Sequence, residues 1–292
     1  MLRIESIVDA RAELGEGPLW DVAEQRLYWI DSLGAKVHSC DAAGGSRRSW
    51  SVPEHIGSLA LRRNGGAIVS LRDGFYTLDF ATGACRKFVD PDPGNPRIRL
   101  NDGKVDRQGR FVAGYMDYEE HDPICSLFRL DPSGAVEKLD GGIVCSNGPC
   151  WSPDGRIFYF ADTHTRDIWA YDYNVASGAV SNRRVFCSYP ACGLKGLPDG
   201  ATVDADGFVW SVSVYEGKLV RFAPDGRLDR TVGLPVESTT SLSFGGPGLD
   251  VAYVTSMART VKGAKPRERE AGSLFAVYGL GVRGLPEPRF AG

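Results

Sequence analysis

Residues 148–160 read Gly148-Pro-Cys-Trp151, then Ser152-Pro-Asp-Gly155, then Arg156-Ile-Phe-Tyr-Phe160. A glycine opens a short apolar run, Pro-Asp-Gly supplies hairpin-turn chemistry, and a run of aromatic and β-branched residues leads back. The same order recurs along the chain. Gly17-Pro-Leu-Trp20 precedes Arg26-Leu-Tyr-Trp-Ile-Asp31, and Gly57-Ser-Leu-Ala60 precedes Ala67-Ile-Val-Ser70. Gly103-Lys-Val-Asp106 precedes Gly109-Arg-Phe-Val-Ala113, and Gly200-Ala-Thr-Val203 precedes Gly207-Phe-Val-Trp-Ser-Val212. A weaker copy is Thr240-Ser-Leu-Ser-Phe244 with Val251-Ala-Tyr-Val-Thr255. The spacing of about 45 residues is that of four-stranded propeller blades.

Further short strands follow within the copies, such as Leu127-Phe-Arg-Leu130 and Leu219-Val-Arg-Phe222. No segment keeps a 3.6-residue apolar period for three turns. The chain is therefore expected to be all-β: a six-bladed β-propeller with four-stranded blades around a central channel. Its 292 residues suggest two domains by length alone, yet six blades use all of them, so residues 1–292 read as one domain. A strand near Ile4 to Val8 is expected to complete the last blade. The Asp-x-Asp-Gly turns lack the downstream glutamate and flanking helices of an EF-hand and read as hairpins.

Apolar residues make up 42% of the chain and charged ones 24%, enough for a core and against disorder. A net charge of −3 gives no basic surface for a phosphate backbone, so no nucleic-acid partner is expected. No stretch reads as a signal peptide or a spanning helix, so no membrane role is expected. Seven cysteines, an odd number, read as free thiols in the cytoplasm. The four histidines form no ligand-spaced pair, which argues against a Cys/His zinc site. No G-x-S-x-G or triad-like histidine is present. The run Thr260–Glu270 mixes lysine and arginine with glutamate and reads as a solvated loop.

In a propeller, the residue before each opening glycine should sit at the channel mouth. Blade by blade these are Glu16, Ile56, Asp102, Asn147, Asp199 and, approximately, Thr239. Four are hard oxygen donors. Carboxylates converging at one register position repel unless a cation lies between them, and such donors suit Ca²⁺, Mg²⁺, Mn²⁺ or Zn²⁺. Arg99, Asn101 and Glu119 lie near Asp102 in sequence and could serve a polyhydroxylated ligand. Glu120 reads as a solvated loop residue. His55 and His121 fall near the mouth by register, with a substrate contact open for His121; His38 and His164 read as surface residues.

The ordered motifs Leu14-Gly-Glu-Gly-Pro-Leu-Trp20, Arg99-Leu-Asn-Asp-Gly-Lys-Val-Asp106, Ser146-Asn-Gly148, Pro198-Asp-Gly200, Thr239-Thr-Ser241 and Gly279-Leu-Gly-Val-Arg-Gly284 cover nearly the whole chain. In them the chain resembles the SMP-30/gluconolactonase/regucalcin family, which includes bacterial sugar-acid lactonases. The resemblance implies one divalent ion (Ca, Zn, Mn, Mg or Fe(II)) held by Glu16, Asn147 and Asp199. It implies substrate contacts from Arg99, Asn101 and Glu119, with Asp102 beside the site, either behind the metal ligands or joined to the ion through a water. The implied activity is hydrolysis of a small-molecule sugar lactone, with Asp199 moving the proton, by a monomer or weak homo-oligomer. A calcium-binding regulatory protein is the alternative, since the same ligands serve both. Leu27-Tyr-Trp-Ile-Asp31 resembles a receptor-propeller repeat but occurs once, which disfavours an interaction propeller.

Overall fold

Each sequence copy folds as one antiparallel sheet of four strands, and the six sheets form a ring in the computed structural model, which describes residues 1–260, 263 and 266–292. The innermost strands are Gly15–Asp21 (blade 1), Ile56–Leu61 (blade 2), Ile98–Val105 (blade 3), Ser146–Trp151 (blade 4), Leu197–Val203 (blade 5) and Thr239–Gly245 (blade 6). Each packs beside the inner strands of its two neighbours, and blade 6 returns to blade 1. The N-terminal strand Arg3–Val8 pairs with Leu274–Tyr278 and supplies the outer strand of blade 6. That pairing joins the two ends of the ring and covers an edge that would otherwise be open. The fold is the expected six-bladed propeller. Among the described residues the single helical element is the three-residue turn Thr163–Thr165, and no helix is long and apolar enough to cross a membrane.

The aromatic residues of the repeat fill the seams between blades. Trp20 stacks on Tyr253 at 5.6 Å across blades 1 and 6, and Phe75 meets Phe111 edge-on at 5.6 Å across blades 2 and 3. Trp210 meets Phe244 at 5.8 Å across blades 5 and 6. Such pairs add about 0.5–1.5 kcal/mol each beyond area burial. The hairpin turns are tied down by charge. Asp106 holds Arg110 at 2.6 Å and the Tyr173 hydroxyl at 2.7 Å, while Asp204 accepts from Arg221 and from the Trp210 indole at 2.9 Å. These turns are hairpins, as expected.

Residues 279–292 cross the end of the ring where the inner hairpins turn. Arg283 pairs with Ala205 in blade 5, and Phe290 with Leu61 and Arg63 in blade 2. Glu287 enters the channel to meet Lys104 at 3.0 Å. That end is covered, so the opposite end is the open mouth. Within the run Thr260–Glu270, residues 261, 262, 264 and 265 lie outside the described residues.

Candidate active site

All six inner strands break their ladder at the same place. Extra residues are inserted between Glu16 and Leu19, Ile56 and Ser58, Leu100 and Gly103, Asn147 and Cys150, Pro198 and Ala201, and Thr239 and Leu242. A bulge re-aims the side chains beside it. It also explains the recurring glycine. At Gly148 (φ 61°) a Cβ would lie 2.9 Å from the Asp199 carbonyl oxygen, and at Gly200 it would collide with Ser241. Only glycine lets the inner strands approach this closely.

The bulges also correct the alignment by glycine. Asn101 and Asp199 are the first inserted residues of their strands, whereas Asp102 is the second in its own. Asn101 therefore reaches the mouth. Asp102 sits below it in the channel, accepting the amides of Gly103 at 2.8 Å and Gly148 at 2.9 Å. Ile56 is fully buried core, and Thr239 is also buried, away from the mouth.

Carboxylates at the far end of the second strands clamp the chain entering the inner strands. Asp31 accepts from the amides of Glu13 and Leu14, both at 3.1 Å. Asp162 accepts from Val144 at 3.1 Å and Cys145 at 3.0 Å. Glu216, just past its strand, accepts from Gly196 at 3.0 Å. These three clamps immediately precede Glu16, Asn147 and Asp199. A side-chain relay then ties three blades together. Asn101 Nδ2 donates to Asn147 Oδ1 at 3.1 Å, Asn147 Nδ2 to Thr163 Oγ1 at 2.8 Å, and Thr163 Oγ1 to the Pro198 carbonyl at 2.9 Å.

These devices bring Glu16, Arg99, Asn101, Asn147 and Asp199 to one open pocket. Glu120, Cys145, Thr163, Tyr215 and Arg259 complete its polar lining, with Leu14, Met116, Leu197, Val214 and Met257 as its apolar wall. Burial, then the charges of Asp199 and Asp102, hold the Glu16 carboxyl well above the ordinary carboxylate range. Burial, then Asp102 and Glu120, do the same to Asp199. Arg99 and Arg259 offset this only in part, and each carboxylate draws on just the amide of the following residue, Gly17 or Gly200. Burial lowers the pKa of Arg99 and raises that of the Cys145 thiol.

No cluster of three or more His, Cys, Asp or Glu side chains gathers around a common point among the described residues. The donor set here is two carboxylates and the Asn147 amide oxygen. Two half-buried carboxylates that repel each other and lack full compensation fit a divalent cation, which would remove the repulsion.

Two expectations are corrected. Glu119 is exposed and outside the pocket, and its neighbour Glu120, expected to be solvated, lines it. The reason is local. Asp117 accepts the amides of Glu119, His121 and Asp122, and Glu120 takes a left-handed backbone (φ 54°), which turns its side chain inward. Glu120 pairs with His164 at 3.3 Å and Arg259 at 3.6 Å. The His164 contact draws Glu120 below its usual pKa and raises His164, which is an exposed surface residue, as expected, though paired with the pocket-lining Glu120. His121 points away, with 83% of its side chain exposed, and pairs with Asp122. His55 lies against Tyr118, and His38 against Trp29.

Thr163, Tyr215, Met257 and Arg259 all follow second strands. Each second strand leaves the ring beside the entry of its own inner strand. Counting register back through each hairpin would therefore have found them.

The family model described as SMP-30/Gluconolactonase/LRE-like region matches residues 14–258. Regucalcin of Xenopus laevis is 35% identical over 100% of this chain and 99% of its own length. A 6-deoxy-6-sulfogluconolactonase of Pseudomonas putida is 33% identical over 99% of each chain. Among solved structures, a calcium-binding regucalcin of Agrobacterium tumefaciens superposes with a TM-score of 0.90 at 28% identity, covering 98% of this chain and 96% of that one. A luciferin-regenerating enzyme does so with a TM-score of 0.93 at 26% identity, covering both chains fully. With this fold and these motifs, the chain belongs to the SMP-30/gluconolactonase/LRE-like family.

Proposed function

We propose that this protein hydrolyses a sugar-acid lactone to the open-chain acid, with a divalent ion held by Glu16, Asn147 and Asp199. The observation that carries the reading is the pair of half-buried, only partly compensated carboxylates that share one open pocket with Arg99 and Asn101. The names of the sulfogluconolactonase relative and the family support it. The bound ion would polarise the lactone carbonyl as a Lewis acid.

This chain's own groups do the rest. Asp199 accepts the proton of the attacking water as its oxygen bonds to the carbonyl carbon. It returns that proton to the ring oxygen as the ring C–O bond breaks, leaving a hydroxyl and a carboxylic acid that then loses its remaining proton to solvent. Arg99 stabilises the negative charge that develops on the carbonyl oxygen. Asn101 fixes the Asn147 amide through its hydrogen bond and contacts substrate hydroxyls. Asp102 supports the floor of the site through the Gly148 amide. Of the two neighbouring glutamates, Glu120 is the one in reach of the ligand.

The calcium-binding regucalcin of Agrobacterium tumefaciens makes Ca²⁺ the first ion to try, ahead of Zn²⁺, Mn²⁺, Mg²⁺ and Fe(II). A calcium-binding regulatory role is the competing reading, favoured by the regucalcin relatives. Seven unpaired cysteines suit action in the cytoplasm, as a monomer or weak homo-oligomer. The test is a lactone panel (gluconolactone, xylonolactone, arabinonolactone, galactonolactone) on chelated protein reloaded with single ions. Hydrolysis that the chelator abolishes and one ion restores is expected. Calcium binding with no lactone hydrolysed favours the regulatory reading.

A further inference from the structure

Two guanidinium groups line the pocket from opposite sides of the ring. Arg99 comes from the inner strand of blade 3, and Arg259 from the segment after the second strand of blade 6. Arg99 is 4% exposed, and its one hydrogen bond goes to the adjacent Leu100 carbonyl at 3.2 Å. Arg259 Nε is buried with no hydrogen-bond partner, and its contact with Glu120 is stretched to 3.6 Å. The Tyr215 hydroxyl lies beside it. Its backbone is held in place: Arg259 N donates to Glu13 O at 3.0 Å, and Ala258 N to Ala12 O at 2.9 Å. Arg259 thus lines the pocket as a cation whose backbone is held and whose Nε has no partner.

Guanidinium groups recognise carboxylate, sulfonate and phosphate oxygens through paired N–H donors.

We propose that Arg259 is a specificity-determining residue that selects lactones carrying an anionic substituent on the carbon farthest from the lactone carbonyl. Arg99 serves the carbonyl end. The inference rests on the lactonase reading for its substrate, and its test separates the two.

The experiment compares gluconolactone with 6-phosphogluconolactone and 6-deoxy-6-sulfogluconolactone on wild type, Arg259→Gln and Arg259→Lys. Binding of gluconate and 6-phosphogluconate is measured by calorimetry with calcium present. Wild type is expected to prefer the anionic lactones. Arg259→Gln should cut the anionic-to-neutral ratio of kcat/KM about 10- to 100-fold, mostly through KM, as expected for loss of a charge-assisted hydrogen bond. Arg259→Lys should keep part of the preference, and thermal melting of both variants checks folding. Equal losses on neutral and anionic lactones, or no wild-type preference, would overturn the assignment. If no lactone is hydrolysed, the lactonase reading falls. Calorimetry then decides alone: tighter 6-phosphogluconate binding that Arg259→Gln removes upholds the anion subsite, and equal binding of the two acids rejects it.

Discussion

Glu16 and Asp199 are held where neither carboxylate would settle alone. Burial raises both pKa values, with Asp199 and Asp102 adding to it at Glu16 and Asp102 and Glu120 at Asp199, so in the ion-free protein they oppose folding at neutral pH. Replacing one by its amide relieves the charge repulsion at nearly constant shape. Glu16→Gln is expected to raise the Tm of chelated protein by about 2–4 °C, while calcium no longer adds stability. Thermal melting with and without chelator reads both effects. A lowered Tm in chelator, with calcium stabilisation intact, would show that Glu16 is an ordinary buried acid. At this scale the sequence was informative where chemistry and position coincide: Glu16, Asn147, Asp199, Arg99 and Asn101 all line the pocket. It failed at Glu119 and Glu120, because a left-handed backbone at one residue decides which of two adjacent glutamates turns inward. Composition carries no trace of that choice.

The bulged inner strand, the hairpin behind it and the carboxylate clamp form the element that aims a pocket residue. The opening glycines were legible as a repeat, but the bulges were not, since they consist of a pairing offset between strands. The Gly-based alignment therefore set Asp102 level with Asp199, when it lies one position deeper. The clamps can be tested by pH. Burial alone would raise the Glu216 pKa, but hydrogen bonds from Gly196, Ser213 and Lys218 outweigh it and hold the value at about 2, against 4.5 unperturbed. A carboxylate held below its unfolded value stabilises the fold above that value and loses this as pH falls toward the folded one. Glu216→Gln should cost about 1–3 kcal/mol near pH 7, and the gap from wild type should close between about pH 4.5 and pH 2. Denaturant unfolding across that range measures it. A gap that stays constant with pH would mean that Glu216 acts through shape alone.

At the scale of the whole molecule, the ring is what brings the pocket together. Its lining comes from blades 1, 3, 4, 5 and 6, so no single blade carries it. The ring stays closed through the N-terminal strand in blade 6, and the C-terminal segment covers the far end, leaving one way in. Six repeat copies made this architecture legible despite a length suggestive of two domains. The closing strand was legible too, because blade 6 lacks one of its own. The path of residues 279–292 was not, since it follows tertiary contacts such as Lys104 with Glu287 that no local pattern announces. The assembled pocket is expected to be a metal-dependent lactonase whose proton is moved by Asp199. The most direct measurement is gluconolactone hydrolysis by wild type and Asp199→Asn, each reloaded with the same ion and checked for ion binding. A loss of about 100-fold or more in kcat, in a variant that still binds the ion, is the expected result. A variant that binds the ion and turns over within about threefold of wild type would contradict the assignment.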